Sequence, residues 1–183
     1  HLVRAIVAAD GGRREPPREV LAPLPLAPGH VRAVLDAMEG VTIEGTSARV
    51  FAGAPYRSGG KTGTAQAVAI RAGARYDAAK LAEHQRDHSL YIALAPIEAP
   101  RVAVAAIVEN AGFGAVAAAP IVRRALDYLL LGQIPSEDDI ALTQQGRTAA
   151  PVGTPRRADE VPIEALIGLP GAIAAGAAAP AGE

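Results

Sequence analysis

The sequence predicts an α+β fold in which an antiparallel sheet is packed by helices. In two runs, Leu90 to Ala95 and Arg101 to Val108, the side chains on both faces of the expected strand are apolar. This is typical of strands buried on two sides. Residues 96–100 join them, a linker short enough to force an antiparallel hairpin. A helical stripe follows at Ala118, Ile121, Val122, Ala125, Leu126 and Leu129. Gly132 just after this stripe indicates the end of the helix.

The elements before the sheet are expected to be a strand pair and two helical segments. Leu2 to Ala8 and Arg18 to Leu21 are strand-like runs on either side of the turn signal Asp10-Gly11-Gly12. Apolar residues at helical spacing then predict a packing helix that begins at His30, with Pro28 before it and Gly40 just after it. These residues are Val31, Val34, Leu35 and Met38. A short helical turn is expected through Arg49 to Phe51.

The centre of the chain is expected to hold a further strand and a polar excursion. Ala65 to Ile70 alternates small and larger residues, as a strand does. Arg71 to Asp87 is polar and can contain a short helix from Asp77 to Glu83, capped by Asp77. In the C-terminal helix, Arg123 and Asp127 are spaced to pair on the outer face.

The glycine-rich segment 57–66 contains Lys61, Thr62, Gly63 and Thr64 in succession. Gly63 has no side chain, so a ligand can approach the main chain closely there. Lys61 supplies positive charge, and the hydroxyls of Thr62 and Thr64 can donate hydrogen bonds to a carboxylate. This pattern predicts a strand that binds an anionic peptide end.

Three other interpretations apply to the same segment. Gly60-Lys61-Thr62 matches the end of a Walker A loop, but that motif needs a glycine where this chain has Pro55. Ser58 and Lys61 have S-x-x-K spacing, yet the two glycines between them oppose the helix on which that motif works. A glycine-rich turn that enters a strand, without any ligand, is the structural alternative.

Composition limits the classes of function. Half of the 183 residues are hydrophobic, which is enough for a real core, and no apolar run reaches membrane-spanning length. The net charge of -1 gives no electrostatic basis for binding nucleic acid, and the absence of cysteine excludes disulfides and thiolate metal sites. His84 and His88 could share a metal on a helix, but no third ligand lies at fixed spacing. We therefore expect no metal and no other cofactor.

The order of these motifs resembles the C-terminal part of the transpeptidase domain of penicillin-binding proteins, a fold shared with serine β-lactamases. In that domain the K-T-G strand is an edge of an antiparallel sheet on which the last helix packs. The resemblance is strongest to the penicillin-binding protein 2 family, the elongation-type class B D,D-transpeptidases of Gram-negative bacteria, and covers Leu2 to Gly132. The co-linear motifs are Tyr56, Lys61 to Gln66, Tyr76-Asp77, Arg86 to His88, Ala95-Pro96, Val102 to Asn110, Asp127-Tyr128 and Leu131-Gly132.

This resemblance implies a peptidoglycan D,D-transpeptidase that cross-links stem peptides during cell elongation and maintenance of rod shape. A serine attacks the penultimate D-alanyl carbonyl, D-alanine leaves, and the amine of a neighbouring strand resolves the acyl-enzyme. Lys61 and Thr64 are the implied catalytic residues, the first for positive potential and proton transfer, the second for a backbone N–H of the oxyanion hole. Thr62, Gly63 and Thr64 are the implied substrate-binding residues, since the two hydroxyls hold the terminal carboxylate and Gly63 keeps the strand edge open.

The implied ligands are peptidoglycan stem peptides and β-lactams, and the implied partner is a glycosyltransferase of the elongation complex. The implied location is the inner membrane, with the catalytic domain in the periplasm. Because the chain opens on His1 in a strand-like run, we expect a fragment whose N-terminal part is missing. The resemblance implies that this missing part contains an inner-membrane anchor.

The sequence departs from the family pattern at two motifs. It contains neither a helical S-x-x-K nor an S-x-N, and its one asparagine, Asn110, has no serine two residues before it. The chain by itself is therefore predicted to be inactive and to form no covalent penicillin adduct. A non-catalytic, peptide-binding remnant of the same fold is the alternative.

The end of the chain differs in composition from the rest. The transpeptidase part is expected to span residues 1–132, with a low-complexity tail at 133–183. The tail is rich in Ala, Pro and Gly, with an acidic patch at 137–139, and has few aromatic or branched residues to bury. We expect it to be disordered.

Overall fold

The computed structural model describes residues 5–15, 24–68, 77, 80–147 and 149–161. The described residues up to Val31 form one compact unit, and those from Arg32 onward form a second. In the first unit, β1 (Ile6–Val7) pairs antiparallel with β2 (Arg13–Arg14). This confirms the predicted turn, but the second strand comes earlier than expected, and the run Arg18 to Leu21 lies outside the described residues.

Helix α1 spans Pro28–Ile43 and helix α2 spans Ala48–Phe51. Both were predicted, but the burial of α1 was not. Its buried residues are the polar Glu39 and Thr42, whereas Val34 of the predicted apolar stripe is 58% exposed. The reason is hydrogen bonding, because Glu39 accepts from Arg57 and the Thr42 hydroxyl donates to the Ser58 carbonyl.

The main sheet has three antiparallel strands in the order β3-β4-β5. They are β3 (Gly59–Ala65), β4 (His88–Ala95) and β5 (Val102–Val108). The β4–β5 hairpin confirms the prediction from the two apolar runs. The strand predicted from Ala65 to Ile70 is shifted, since β3 already ends at Ala65, and residues 69 and 70 lie outside the described part of the chain.

The polar excursion after β3 is described only in part. Of the helix predicted from Asp77 to Glu83, residues 78 and 79 lie outside the described residues, as do residues 71–76. A 3₁₀ turn spans Glu83–Gln85, immediately before β4. No helix among the described residues is long and apolar enough to cross a membrane.

The three-stranded sheet is covered on one face by helix α3 (Ala118–Leu131). On that face Ser89, Tyr91, Ala93 and Ala95 of β4 are buried, as expected for side chains that alternate along a strand. On the other face Ile92 is 50% exposed and Ile107 is 67% exposed. The expectation that these strands are buried on both sides is therefore wrong for the described residues.

Helix α3 ends as predicted, with Gly132 in the left-handed conformation as its C-cap, but it buries different side chains. Val122 and Leu126 are buried, whereas Ile121 and Leu129 are more than half exposed. The predicted Arg123–Asp127 pair forms, yet it lies inside the protein. Arg123 is buried because it also donates to the carbonyls of Val50 and Ala52.

The segment after Gly132 is folded where the structure describes it, which corrects the expectation of disorder up to residue 161. Strand β6 (Gln133–Ile134) pairs with β7 (Arg156–Arg157), helix α4 spans Glu137–Gln144, and a 3₁₀ turn spans Ala158–Glu160. Polar contacts hold much of this segment, together with the buried side chain of Ile134. Asp139 of α4 is buried and forms a bidentate pair with Arg124 of α3. Residues 162–183 lie outside the described part.

Candidate active site

The predicted binding strand is present as β3, with Lys61, Thr62, Gly63 and Thr64 inside it. In the described sheet β3 pairs only with β4, so it is an edge strand with one side available to another extended chain. The side chain of Lys61 is exposed, and its Nζ donates to the Thr62 carbonyl oxygen at 2.6 Å. The strand therefore offers a cation and two hydroxyls at a free sheet edge.

The register of β3 separates the two kinds of polar side chain. Thr62 lies opposite Tyr91 and Thr64 lies opposite Ser89, on the face of the sheet that α3 covers. Lys61 lies opposite Ile92, on the other face. The structure thus places the two predicted hydroxyls on one face and the lysine on the other, at the same edge.

The two glycines before Lys61 are part of the strand and are buried, so they do not form the turn considered as an alternative. A Cβ on Gly59 would lie 2.7 Å from Cδ1 of Ile97. A Cβ on Gly60 would lie 2.6 Å from Cζ of Tyr91 and would overlap the tyrosine hydroxyl. Neighbouring side chains occupy the space, so the start of β3 requires residues without side chains.

Ser58 does not act as the nucleophile of a helical S-x-x-K motif. It directly precedes β3, and only 3% of its surface is exposed. Its carbonyl oxygen accepts a hydrogen bond of 2.7 Å from Thr42, which holds the strand entrance against α1. The expectation that the two glycines oppose a helix between Ser58 and Lys61 is confirmed, because both glycines lie in β3.

Tyr91 packs against Gly60 of β3 and is held by a buried hydrogen bond to Ser47. Its hydroxyl lies 2.6 Å from the Ser47 Oγ, and both residues are fully buried. Burial raises the pKa of Tyr91 above its ordinary value, while the Ser47 hydrogen bond opposes this shift. The tyrosine is thereby kept neutral and fixed against Gly60.

An ion pair fixes the approach to the strand. Arg57 donates to both carboxylate oxygens of Glu39, at 2.6 and 2.7 Å, and to Glu98 at 3.2 Å. The hydrogen bond from Arg57 holds the pKa of Glu39 below its ordinary value of 4.5, against the opposing effect of desolvation. The Arg57 carbonyl also accepts from the Ile97 N–H at 3.0 Å. Helix α1 and the β4–β5 hairpin are both tied to the residue two positions before β3.

A second set of contacts connects Tyr56, three residues before β3, to helix α3. The Tyr56 hydroxyl donates to Asp127 at 2.7 Å, and Arg123 Nε donates to both oxygens of that carboxylate at 3.0 Å. The Arg123 guanidinium lies over the rings of Phe51 and Tyr56, at 5.9 and 5.8 Å from their centroids. Burial, followed by the bond to Asp127, raises the pKa of Tyr56 far above its ordinary value.

His88, one of the two histidines considered as metal ligands, has another contact. His88 Nδ1 accepts a hydrogen bond of 3.0 Å from the Asn110 N–H. The lone pair of this nitrogen is therefore engaged in a hydrogen bond and is not available to a metal ion. Among the described residues, no group of three or more His, Asp and Glu side chains is arranged to hold a metal ion.

Several residues of the site could not be found from the sequence. Ser47, Tyr91 and Gly114 all contact β3 or the strand beside it, but they are remote from it in the chain. Only the strand register shows which residues lie opposite the K-T-G segment. Tyr56 was identified from the sequence as one of the family motifs. Its hydrogen bond to Asp127 could not be predicted from that motif.

Comparison with known proteins agrees with this geometry. The model of the penicillin binding protein transpeptidase domain matches residues 1–127. The peptidoglycan D,D-transpeptidase MrdA of Escherichia coli K12 is 43% identical over 106 residues, 57% of this chain and 17% of that protein. MrdA of Haemophilus influenzae is 41% identical over 91 residues, 50% of this chain and 14% of that protein.

A solved structure shows the same arrangement. The crystal structure of Pseudomonas aeruginosa PBP2 in complex with WCK 5153 matches 67% of this chain and 24% of that chain, with 31% sequence identity and a TM-score of 0.51. The α+β class and the antiparallel sheet packed by a C-terminal helix are thereby confirmed. The chain spans less than a fifth of the length of the curated relatives it matches.

Proposed function

Because the chain belongs to the penicillin-binding protein transpeptidase family, we propose that the complete protein is a peptidoglycan D,D-transpeptidase and that residues 61–64 are part of its active site. The main support is that Lys61-Thr62-Gly63-Thr64 lies in β3, at a sheet edge with no further strand in the described sheet. The position of this edge is fixed by the contacts of Tyr56, Arg57 and Tyr91. An extended stem peptide can add to such an edge as a further strand. The reaction is acyl transfer through a serine contributed by another part of the protein.

In this proposal Lys61 supplies positive potential beside the reacting serine and shares in proton transfer. Its exposed ammonium donates to the neighbouring Thr62 carbonyl, and the described residues give it no buried contact that would break if it turned toward a ligand. Thr62 and Thr64 share a face and donate to the terminal carboxylate of the stem peptide or of a β-lactam. Gly63 between them leaves the main chain open to the ligand.

Thr64 has a second role in the proposal, as one half of the oxyanion hole. Its main-chain N–H donates to the oxygen that becomes negative when the serine attacks. Loss of one such donor typically costs about 100- to 1000-fold in rate for acyl transfer. The anchors at Tyr56, Arg57 and Tyr91 serve this step because they fix the strand before substrate arrives.

The finer physiological assignments are part of the same proposal. They are a role in cell elongation and rod shape, an inner-membrane anchor with the catalytic domain in the periplasm, and a glycosyltransferase of the elongation complex as partner. The support is the resemblance to MrdA proteins, together with the family match over residues 1–127, which include the K-T-G strand.

Labelling of the complete protein with a fluorescent penicillin tests the proposal. The wild-type protein is expected to become covalently labelled, and Lys61→Ala is expected to lower the acylation rate by at least about 100-fold. The matched control is Lys80→Ala, which removes the chain's other lysine, a side chain that is 83% exposed. A wild-type protein that folds but takes no label would reject the enzyme and favour the peptide-binding remnant.

The hydroxyl assignments need a separate variant. Thr64→Val in the complete protein keeps the shape of the side chain and the main-chain N–H, but removes the donor to the carboxylate. We expect weaker noncovalent binding of penicillin. The control is Thr154→Val, at an exposed position in the segment after Gly132. Unchanged binding by Thr64→Val would exclude the hydroxyl as a carboxylate ligand.

A further inference from the structure

The loop between β5 and α3 lies directly on the K-T-G strand at one glycine. A Cβ on Gly114 would lie 2.7 Å from the carbonyl oxygen and 3.1 Å from the nitrogen of Gly63. It would lie closer still to the carbonyl oxygen of Leu90, the residue that pairs with Gly63 across the sheet. Gly114 is buried, and its φ is not in the left-handed region. Space, and not backbone conformation, is therefore what requires glycine here.

The atoms beside Gly114 are main-chain atoms, so they cannot move away by a rotamer change. A side chain at Gly60 would meet the tip of a tyrosine, but a side chain at Gly114 would have to displace the backbone of two paired strands. Within β3 the contact is with Gly63, the residue between the two threonines proposed to bind the carboxylate. Any displacement there moves Thr64 as well, because it is the next residue along the strand.

The loop is held in this place by hydrogen bonds to β4, to the residue before β4 and to the start of α3. The Ser89 Oγ donates to the Phe113 carbonyl at 3.0 Å and accepts from the Ala118 N–H at 3.1 Å, at the start of α3. The Gly112 N–H donates to the Asp87 carbonyl at 2.8 Å, and the Ala119 N–H donates to the Gly114 carbonyl at 2.9 Å. Ser89 is fully buried and lies opposite Thr64 in the ladder. Loop, helix start and strand form one connected unit.

We propose that Gly114 is a positioning residue for the K-T-G strand, which sets the placement of Gly63 and Thr64 through direct main-chain contact. This inference rests on the proposed transpeptidase function, because the group being placed is the Thr64 N–H of the oxyanion hole. Misplacement of a catalytic group by about 1 Å can lower a rate roughly 100-fold. The chemical step is therefore affected more than initial binding of the ligand.

The test compares three variants of the complete protein, Gly114→Ala, Ser89→Ala and Gly40→Ala. Stopped-flow labelling with a fluorescent penicillin separates the dissociation constant of the noncovalent complex from the acylation rate constant. We expect Gly114→Ala to lower the acylation rate constant roughly 10- to 100-fold while the dissociation constant changes by less than about threefold. Ser89→Ala, which removes the loop anchor without adding bulk, is expected to give a smaller decrease in the same constant.

Gly40→Ala is the matched control, since a Cβ at this helical position meets no atom within 4 Å. It is expected to acylate at the wild-type rate. A folded Gly114→Ala protein that acylates at the wild-type rate would overturn the inference. If Gly114→Ala does not fold, wild-type acylation by Ser89→Ala has the same meaning.

Failure of the proposed function gives a different pattern. In that case the wild-type protein takes no label, and amide hydrogen exchange of residues 59–65 becomes the deciding measurement. Faster exchange of this strand in Gly114→Ala than in Gly40→Ala would support the positioning contact without any activity. Equal exchange in the two variants would reject it.

Discussion

The hydroxyl of Tyr56 donates a hydrogen bond of 2.7 Å to the carboxylate of Asp127, a residue 71 positions later in the chain. Tyr56 lies three residues before the K-T-G strand, and Asp127 lies in the helix that covers the sheet. Arg123 completes the contact by donating to both oxygens of the same carboxylate. The strand entrance and the C-terminal helix are thus joined by a buried, charge-assisted network.

Removal of the Tyr56 hydroxyl tests this network. Tyr56→Phe keeps the ring under Arg123 but takes one donor from Asp127, and hydrogen bonds to charged groups contribute about 1.5–3 kcal/mol. We expect the free energy of unfolding of the complete protein to fall by about that amount in urea denaturation. Tyr128→Phe, at a position that is 54% exposed, is the matched control and should change stability little. Equal effects of the two substitutions would contradict a special role for Tyr56.

The buried start of β3 leads to a prediction about Gly60. Gly60→Ala would place a methyl group on the Tyr91 side chain, and overpacking of this kind typically costs about 1–3 kcal/mol. We expect lower thermal stability together with altered near-ultraviolet circular dichroism, because Tyr91 must move. Gly40→Ala should instead be neutral or slightly stabilising, since alanine favours a helix. A Gly60→Ala protein as stable as wild type would show that the strand has room that the geometry excludes.

Stability at acid pH should depend on Glu39. Its pKa is held below 4.5 in the folded state by Arg57, so the carboxylate contributes stability above that pH and loses it as the pH falls through the folded-state pKa. Glu39→Gln should therefore destabilise at pH 6, and its difference from wild type should shrink as the pH falls below about 4.5. Urea denaturation at several pH values measures this. Glu44→Gln, at an exposed position beyond α1, serves as the control, and a difference that stays constant with pH would refute the assignment.

The folded C-terminal segment depends on Asp139. Asp139→Asn would leave the Arg124 guanidinium largely buried without its carboxylate, and breaking a buried ion pair by changing one partner typically costs about 3–5 kcal/mol. We expect residues 133–161 to open locally and to be cut faster in limited proteolysis. Glu137→Gln on the same helix, where the side chain is 88% exposed, should leave the cleavage rate unchanged. Equal cleavage in both variants would mean that the pair does not hold the segment.

The sheet and its last helix were predictable because their signals are local. Two long apolar runs with a short linker determine a hairpin, and Gly132 marks the helix end as it does in the structure. The K-T-G strand was found from its own residues and its place in the motif order. What the periodicity did not give was the direction of burial. Arg123 is buried among aromatic rings and carbonyl groups, and helical spacing alone assigned it to the outside.

The C-terminal segment shows the opposite limit of sequence analysis. Its composition suggested that it had too little apolar surface to fold. That inference considers only the burial of apolar side chains and leaves out hydrogen bonds from polar side chains to main-chain carbonyl groups. Ser136 caps α4, donates to the Val152 carbonyl and accepts from the Asp139 N–H. Gly153 fits against Ser136 only because it has no side chain. Such contacts are specific pairings between distant residues, and no residue-by-residue pattern predicts them.

The tightly packed glycines at the start of β3 and at position 114 have a consequence for antibiotic resistance, if the complete protein is a β-lactam target. A side chain at position 60 would clash with the buried Tyr91, and one at position 114 would clash with the backbone of two strands, so these positions are closed to single-step escape. The exposed Thr64 and the half-exposed Thr62 have room for other side chains, but in our proposal their hydroxyls also hold the carboxylate of the stem peptide. Laboratory selection on a penicillin should therefore yield changes outside this strand and outside Gly114. Repeated recovery of substitutions at Gly60 or Gly114 in resistant, growing cells would show that the strand can be reshaped after all.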